Sequence, residues 1–155
     1  MQGTWSIAAA GTKDLPAIFA LLEESDLPKE GLAAHLSTTL VAQKGTEIVG
    51  CAALELYQEL ALLRSVAVKR AFRKQGVGLA LTSAAFDLAR EYKVTDVYLL
   101  TDTAGVFFSR QGFVEIPRSD APERIKRTIE FTSLCPETCM VMMKPLTQPT
   151  PKESA

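Results

Sequence analysis

Two glycines, Gly76 and Gly78, follow a cluster of basic residues and precede an apolar stretch with the spacing of a helix. The basic cluster consists of Lys69, Arg70, Arg73 and Lys74. The first N–H groups of a helix have no partner inside it, and together with the helix dipole they form a binding place for phosphate. Glycines let such a ligand approach the backbone, and the basic residues add positive charge. The pattern predicts an anion site, although a solvated strand-to-helix loop would give the same spacing.

The glycine turn differs from two well-known phosphate-binding motifs. It has no GxxxxGK followed by Ser or Thr, which argues against a P-loop nucleotide hydrolase. It also lacks GxGxxG, because Gly78 is followed by Leu79, Ala80 and Leu81. The absence of this second pattern argues against a dinucleotide-binding domain.

Composition and charge narrow the class of protein. The chain has 155 residues, of which 47% are hydrophobic, and a net charge of −1, so it can bury a core but lacks the positive charge of a typical nucleic-acid-binding protein. No apolar run reaches the ~20 residues that span a bilayer, and the N-terminus does not resemble a signal peptide. Three cysteines are too few for a disulfide framework. We expect a cytoplasmic protein with one domain over residues 1–146 and a disordered polar tail over 147–155.

The predicted secondary structure mixes strands and helices. Strands are expected at 5–10, 38–43, 47–57, 60–68, 96–100, 113–116 and 138–144. Helices are expected at 15–25, 30–36, 78–92, 104–110 and 122–131. The early strands read as an antiparallel meander, and a strand–helix–strand unit follows them. This order predicts an α/β protein with a mixed sheet.

The segment RSVAVKRAFRKQGVG, followed by an apolar helix, resembles the signature of the GNAT N-acetyltransferase superfamily. In that family a strand similar to SVAV precedes R/Q-x-x-G-x-G/A, which residues 73–78 match. A second family element, a short helix with an aromatic residue and then G-F, is matched by residues 107–113. The resemblance extends over about residues 5–144. It implies the acyl-CoA N-acyltransferase fold, with a central, mostly antiparallel sheet flanked by helices.

The resemblance implies acetyl-CoA as cosubstrate and no metal. The diphosphate would lie on the N–H groups of residues 74–79, and the pantetheine arm would pair with the strand backbone at 66–68. The implied cofactor-binding residues are Val66, Ala67, Val68, Arg73, Lys74, Gln75, Gly76, Val77, Gly78, Leu79, Thr101 and Phe108. Strand N–H groups would polarise the thioester carbonyl and stabilise the oxyanion formed when an amine attacks.

Two positions depart from the family pattern. Phe108 occupies the place of a tyrosine that protonates the leaving thiolate in many members, and a phenyl ring has no proton to give. Water or the ammonium proton of the substrate would then serve. Leu62 occupies the place of a glutamate that some members use as general base. The resemblance therefore supplies neither the acid nor the base.

Glu55 and Arg64 are the candidate catalytic residues. Glu55 would take a proton from the incoming ammonium group, with Tyr57 on the same strand face, and the alternative is a solvent-facing Glu55. Arg64 interrupts an apolar strand and, by alternation, shares a face with Val66 and Val68. Its guanidinium would hold a substrate carboxylate by two parallel hydrogen bonds. The alternative is a structural salt bridge from Arg64 to Glu55 or another carboxylate.

Several further polar residues are weaker candidates for a functional role. A late basic group could place one side chain at the acceptor site, and its members are Arg118, Arg124, Lys126 and Arg127. Glu59 is expected to be solvated in a turn, and the single histidine, His35, is expected to be structural. Cys135 and Cys139 are spaced to hold a soft ion or trivalent arsenic, but packing is favoured because no third soft ligand is near.

Within the superfamily, the sequence is similar to arsenic-resistance-associated N-acetyltransferases and to the acetyltransferase domain of N-acetylglutamate synthases. The similar segments are 50–55, 63–68, 99–101 with 107–108, and 121–136. This similarity implies acetylation of the primary amine of a small amino-acid-like substrate, either an arsenic- or phosphorus-containing amino acid in detoxification, or glutamate. A non-catalytic acyl-CoA sensor is the alternative. We expect a small amine as partner, a homodimer as one open possibility, and no nucleic acid or membrane.

Overall fold

The computed structural model describes residues 5–134 and 138–146. Its strands are β1 (Trp5–Ala9), β2 (Thr39–Lys44), β3 (Glu47–Tyr57), β4 (Leu60–Val68), β5 (Asp96–Thr101), β6 (Val114–Ile116) and β7 (Met140–Pro145). Its α-helices are α1 (Leu15–Glu24), α2 (Val77–Glu91), α3 (Gly105–Ser109) and α4 (Glu123–Lys126). Short 3-10 segments cover Thr12–Asp14, Leu32–Thr38, Arg70–Phe72 and Arg118–Asp120, and a π-helical turn covers Glu130–Leu134.

The described strands form one sheet in the order β1-β2-β3-β4-β5-β7-β6. Every neighbouring pair is antiparallel except β4 with β5, which is parallel. This arrangement confirms the predicted α/β fold class with a mostly antiparallel sheet flanked by helices. No helix in the described ranges is long and apolar enough to cross a membrane.

The two longer helices pack on opposite faces of the sheet. On α1, the side chains of Ile18, Leu21 and Leu22 are buried at helical spacing and contact one face. On α2, a stripe at intervals of four residues packs on the other face, and its members are Val77, Leu81, Ala85 and Ala89. Successive strand side chains point to opposite faces, so β3 contributes to both cores. Burying a leucine or isoleucine fully is worth about 1.5–3 kcal/mol, which makes these stripes the main force holding the helices in place.

Two predicted helices differ in the structure. The segment expected at 30–36 is the 3-10 segment Leu32–Thr38. The helix expected at 122–131 is divided into α4 and the π-helical turn, because Thr128 intervenes. Its hydroxyl donates to the carbonyl of Ile125 at 2.8 Å and accepts from the N–H of Phe131 at 3.3 Å, so it competes with the helical backbone pattern. The predicted disordered tail over 147–155 and the candidate Cys135 lie outside the described residues.

Strands β4 and β5 separate after a short paired region. Their register runs from Leu60 opposite Asp96 to Leu62 opposite Tyr98 and ends there. Beyond this point β5 pairs with β7 on its other side, up to Thr101 opposite Met140. The divergence opens a cleft between the second halves of β4 and β5, as the family resemblance implied.

A β-bulge changes the direction of side chains in the middle of β4. Cys51 pairs with Ala67 whereas Ala53 pairs with Arg64, so two residues of β4 oppose one of β3. Ser65 has a φ of 59°, and its carbonyl accepts a hydrogen bond from the Cys51 thiol at 3.2 Å. Val66 packs on the core beneath α2, whereas Arg64 points to the opposite face. The prediction that Arg64 shares a face with Val66 is therefore wrong, because simple alternation does not survive a bulge.

Candidate active site

The glycine turn forms the open N-terminus of the fifteen-residue helix α2. Gly76 is the N-cap residue, with a φ of 86°, and a Cβ placed on it would meet no atom within 4 Å. The N–H of Ala80 donates to the carbonyl of Gly76 at 3.0 Å and makes the first bond of the helix. The amides of residues 77–79 precede that bond, so they are the orphan donors that can bind an anion.

Gly78 lacks a side chain for a different reason. A Cβ at this position would lie 3.3 Å from Cζ of Phe107 and 3.6 Å from Cγ2 of Val68. The Phe107 ring on α3 is packed over the first turn of α2 and lines the cleft. Gly78 therefore lets two protein elements approach each other, whereas Gly76 provides a left-handed backbone beside open space.

The loop before α2 is attached to the end of β4. Arg73 donates from Nε to the carbonyl of Val68 at 2.9 Å and from Nη2 to Oγ of Ser25 at 3.3 Å. Lys74 has a φ of 66° and lines the cleft. Gln75 donates to the carbonyl of Ala71 at 3.3 Å, and its side chain lies outside the cleft lining.

Two more of the predicted cofactor-binding residues also belong to this region. The side chain of Val77 is buried in the core, so only its backbone is available to a ligand. Leu79 is 53% exposed and lines the cleft. The predicted loop residues therefore divide into backbone donors, cleft-lining side chains and residues that hold the loop in place.

The cleft has a volume of about 1080 Å³ and runs between β4 and β5. Its walls include Val66, Ala67 and Val68 on β4 and Thr101 at the end of β5. Oγ1 of Thr101 accepts a hydrogen bond from the N–H of Ala104 at 2.9 Å and so fixes the approach to α3. The cleft therefore opens beside residues 66–68, where the resemblance placed the pantetheine arm.

Phe108 is buried at the floor of the cleft, where it packs against other aromatic rings. Its ring centroid lies 5.0 Å from that of Phe107 and 5.7 Å from that of Phe113, both in edge-to-face geometry. Such pairs add to the stability of the core. The position that the resemblance matched to a tyrosine is therefore occupied by a packing residue in this chain.

Arg64 lies at the other end of the cleft, with a guanidinium that is 0% exposed. It donates from Nη1 to Oε2 of Glu55 at 3.0 Å and from Nε to Oγ of Ser65 at 3.0 Å. Nη2 lies 3.4 Å from the carbonyl oxygen of Pro28. The structure contains the salt bridge to Glu55 that the sequence left open as one alternative for Arg64.

Glu55 is 1% exposed, so the alternative of a solvent-facing carboxylate is wrong. Its Oε1 accepts a hydrogen bond from the hydroxyl of Tyr57 and lies 3.8 Å from Nε2 of His35. Burial raises the pKa of Tyr57, and the hydrogen bond to Glu55 adds to the effect, so the phenol stays protonated as a donor. Glu55 does not line the cleft, which places it behind Arg64 as seen from a ligand.

Glu130 is a residue of this site that the sequence did not indicate. It begins the π-helical turn, is 6% exposed and lines the cleft. Its Oε2 lies 3.8 Å from Nε of Arg64. Burial raises the pKa of Glu130, which the positive charge of Arg64 opposes and the negative charge of Glu55 reinforces. Its partner lies on a strand far away in sequence, so neither periodicity nor spacing could have revealed the pair.

Two members of the late basic group make contacts outside the cleft. Arg124 donates to both carboxylate oxygens of Glu59, at 3.0 and 2.8 Å, and to the carbonyl of Tyr57 at 2.8 Å. These hydrogen bonds lower the pKa of Glu59 to about 2. Arg118 lies over the ring of Phe131, 4.3 Å from its centroid. None of the four members of the late basic group lines the cleft, so the suggestion that one of them reaches the acceptor site is not supported.

Comparison with known proteins defines the class of this protein. Residues 35–115 match the family model described as the acetyltransferase (GNAT) domain, which is just over half of the chain. The chain therefore belongs to the GNAT acetyltransferase family, as its resemblance indicated.

Curated relatives include N-acetyltransferases and amino-acid acetyltransferases. An uncharacterised N-acetyltransferase of Chlorobaculum tepidum is 35% identical over 99 residues, which are 63% of each chain. An amino-acid acetyltransferase of Mycobacterium tuberculosis is 38% identical over 71 residues, 45% of this chain and 40% of the relative. One from Neisseria meningitidis is 28% identical over 127 residues, 76% of this chain and 29% of the relative. The chain thus spans less than two thirds of the length of these relatives.

Solved structures show the same fold. The N-acetylglutamate synthase of Neisseria gonorrhoeae, complexed with coenzyme A and N-acetyl-glutamate, matches 96% of this chain and 36% of its own, with a TM-score of 0.81 and 23% identity. Rv2747 of Mycobacterium tuberculosis, in complex with CoA and NLQ, matches 92% of this chain and 99% of its own, with a TM-score of 0.78 and 26% identity.

Proposed function

We propose that this protein is an acetyl-CoA-dependent N-acetyltransferase that acts on the primary amine of a small amino-acid-like substrate. The observation that carries this proposal is the cleft between β4 and β5. One end of it is an open helix N-terminus, and the other end is a buried cluster of charged side chains. A long thioester carrier fits this arrangement, with its phosphates at the first end and its reactive group at the second.

The backbone at the glycine turn would bind the diphosphate. The amides of residues 77–79 supply orphan donors, and the open space beside Gly76 leaves room for the phosphate oxygens. Lys74 lines the same part of the cleft and adds a positive charge. The two relatives above that were solved with coenzyme A support this assignment.

The pantetheine arm would run along β4 from Val68 towards Ser65. This half of the strand has no partner strand on the β5 side among the described residues, so its backbone can pair with the amide groups of the arm. The thioester would then lie near the bulge, where a strand N–H stabilises the oxyanion that forms as the amine attacks. Thiolate is a good leaving group at neutral pH, and the attacking nitrogen can supply its proton, which is consistent with phenylalanine at position 108.

Arg64 and Glu55 would act on the acceptor indirectly. The guanidinium is fully buried and already binds Glu55 and Ser65, so a substrate carboxylate would have to displace an existing partner. We therefore assign both as positioning residues: Arg64 forms part of the wall of the acceptor site, and Glu55 holds Arg64 in place from behind. This assignment replaces the earlier hypothesis that Arg64 binds a substrate carboxylate directly through two parallel hydrogen bonds.

The names of the relatives favour an amino acid as the acceptor. Amino-acid acetyltransferases and a synthase solved with N-acetyl-glutamate both match this chain. Glutamate is therefore the first acceptor to test. The similarity to arsenic-resistance-associated enzymes adds arsenic- and phosphorus-containing amino acids, whose acetylation in the cytoplasm would neutralise a toxic amine.

Release of free thiol tests the proposal directly. Purified protein is mixed with acetyl-CoA and a panel of amines comprising amino acids, polyamines, aminoglycosides and the arsenic- and phosphorus-containing analogues. We expect thiol release with at least one amino-acid-like acceptor and with few or none of the polyamines and aminoglycosides. A silent panel together with no binding of acetyl-CoA in calorimetry would contradict the proposal.

A non-catalytic acyl-CoA sensor is the second candidate. The observation that favours it is Phe108, which packs in the core and has no proton to donate. A sensor would bind CoA in calorimetry and release no thiol with any amine. The same two measurements therefore separate the two candidates.

A further inference from the structure

Glu130 stands out among the carboxylates of the cleft. Within the described part of the chain, the cleft is lined by four acidic residues, and these are Glu24, Asp26, Asp102 and Glu130. Three of them are exposed to solvent, and Glu130 is buried. Glu24 is also engaged, because its Oε2 accepts a hydrogen bond from the backbone N–H of Arg70 at 2.9 Å.

The position of Glu130 is the end of the cleft where the acetyl group would lie. Arg64, which lies 3.8 Å from Glu130, and Ser65, which is hydrogen-bonded to Arg64, also line the cleft. Ser65 is three residues before Val68, or about 10 Å along an extended strand, on the side away from the glycine turn. An acceptor amine that attacks a thioester near the bulge would therefore approach beside Glu130.

The positive charge of Arg64 lies closer to Glu55 than to Glu130. Arg64 is hydrogen-bonded to Glu55 at 3.0 Å but lies 3.8 Å from Glu130, so its positive charge mainly compensates Glu55. The cluster of two carboxylates and one guanidinium carries a net negative charge when both acids are ionised. A buried negative charge with a distant partner attracts a cation, and the cation expected here is the ammonium group of the acceptor.

We propose that Glu130 is the general base of the reaction and removes a proton from the ammonium group of the acceptor. This proposal rests on the proposed acetyltransferase function and assigns a group that neither the family pattern nor the sequence supplied. Burial raises the pKa of this carboxyl group, and a base whose pKa is nearer to neutrality accepts a proton from an amine more readily.

In the proposed step a proton moves before the bonds to carbon change. The ammonium group gives one proton to an oxygen of Glu130, and the freed lone pair attacks the carbonyl carbon of the thioester. A C–N bond forms, the C–S bond breaks, and the sulfur leaves as thiolate. The thiolate takes the second proton from the nitrogen, and Glu130 returns its proton to solvent.

The groups that titrate near Glu130 come from several elements. Arg64 faces it from β4, and Glu55 lies behind Arg64 on β3. Tyr57 and His35 both contact Glu55. A pH profile of the wild-type enzyme alone would therefore not identify the base, and the profile has to be compared between variants.

Steady-state kinetics of Glu130→Gln tests the proposal, with L-glutamate as the acceptor or the best acceptor of the panel if L-glutamate is inert. We expect kcat to fall about 100- to 10,000-fold, the usual contribution of general acid–base catalysis, and the affinity for acetyl-CoA to stay within about twofold. The acidic limb of the pH profile should disappear in this variant. Glu115→Gln, an exposed glutamate on β6, is the matched control and should keep wild-type kinetics.

Two further variants separate a chemical role from a structural one. Glu130→Asp keeps the carboxylate one methylene further away and should retain part of the activity, with its acidic limb present. Glu130→Ala should regain activity when formate or acetate is added, which loss of packing alone would not allow. If Glu130→Gln does not fold, the Asp and Ala variants test the role of Glu130 through kcat, the acidic limb of the pH profile and rescue by formate or acetate.

Three results would contradict the role of Glu130 as general base. A kcat of Glu130→Gln within about threefold of wild type, with the acidic limb intact, would overturn the role of Glu130 and leave the acetyltransferase function standing. If the Asp and Ala variants are inactive without rescue although they bind acetyl-CoA normally, Glu130 is not a base. A wild-type protein that acetylates no amine would overturn both proposals.

Discussion

The two ends of the cleft are constructed differently. At the glycine turn the proposed binding groups are main-chain amides, set by the conformation of a few consecutive residues around Gly76. At the proposed acceptor end they are the side chains of Arg64 and Glu130, from β4 and the π-helical turn, with Glu55 on β3 behind Arg64. The first end is local in sequence and suits a ligand common to a whole family. The second depends on tertiary packing and can change from one family member to the next.

Removing the guanidinium should produce the largest effect at either end. Arg64→Ala would leave two buried carboxylates without their shared cation, and losing one partner of a buried ion pair costs about 3–5 kcal/mol. We expect that loss in the free energy of unfolding measured by urea denaturation.

Arg64→Lys is the companion variant. Lysine keeps the positive charge but lacks the planar guanidinium that donates to Glu55 and Ser65 together. The free energy of unfolding should therefore fall less than in Arg64→Ala. A wild-type unfolding free energy for Arg64→Ala, combined with a higher KM for the acceptor, would restore Arg64 as a direct ligand of the substrate.

A side chain at Gly76 should weaken cofactor binding next most strongly. Gly76→Val places a β-branched residue at a φ of 86° and fills the space beside the helix N-terminus. We expect the Kd for acetyl-CoA to rise at least about 100-fold, or about 2.7 kcal/mol, in calorimetry. The positive φ means that the loop itself will also be strained, so the effect is not purely steric.

Gly45 provides the matched control for that strain. It has a φ of 62° with no atom within 4 Å of a placed Cβ, and it lies in the turn between β2 and β3. Gly45→Val should lower stability without changing the Kd for acetyl-CoA. Equal losses of affinity in the two variants would mean that the glycine turn does not bind the diphosphate.

The difference between the ends also explains what the sequence could predict. The glycine turn at the start of α2 was recognisable because Gly76 and its neighbours are consecutive, and the strands and α2 followed from apolar periodicity. The bulge in β4 could not be predicted, because a serine at a φ of 59° has no clear signature in a single sequence. The bulge places Arg64 on the opposite face of the sheet from the one expected. Glu130 was missed because its partner is distant in the chain and the π-helical turn that positions it has no reliable pattern.

Glu130 should lower stability in the wild-type protein. Its raised pKa means that the folded state binds the proton more tightly than the unfolded state, so stability falls as pH rises from the ordinary carboxyl range through the raised value. Glu130→Gln lacks this dependence and should be more stable than wild type by about 1 kcal/mol near neutral pH.

Chemical denaturation at several pH values measures this difference. The advantage of Glu130→Gln should shrink as the pH is lowered into the range where the wild-type carboxyl group becomes protonated. A variant that is less stable than wild type at neutral pH would show that Glu130 serves the fold rather than the reaction.

The smallest effect is expected outside the cleft, at the pair of Glu59 and Arg124. The pKa of Glu59 is lowered to about 2. The stabilising contribution of its ionised form is therefore fully present above the ordinary carboxyl pKa and is lost as pH falls from there through about 2. Glu59→Gln should lower Tm slightly at neutral pH, because exposed ion pairs are weak, and the difference should vanish in acid. A difference in Tm that persists at low pH would indicate a role other than this ion pair.

The crystal structure of this protein with coenzyme A tests the central claim most directly. We predict that the diphosphate is within hydrogen-bond distance of the amides of residues 77–79 and that the arm lies along β4 with its sulfur towards Ser65 and Glu130. Electron density for the diphosphate elsewhere, with the helix N-terminus occupied by water or by the protein's own side chains, would contradict it.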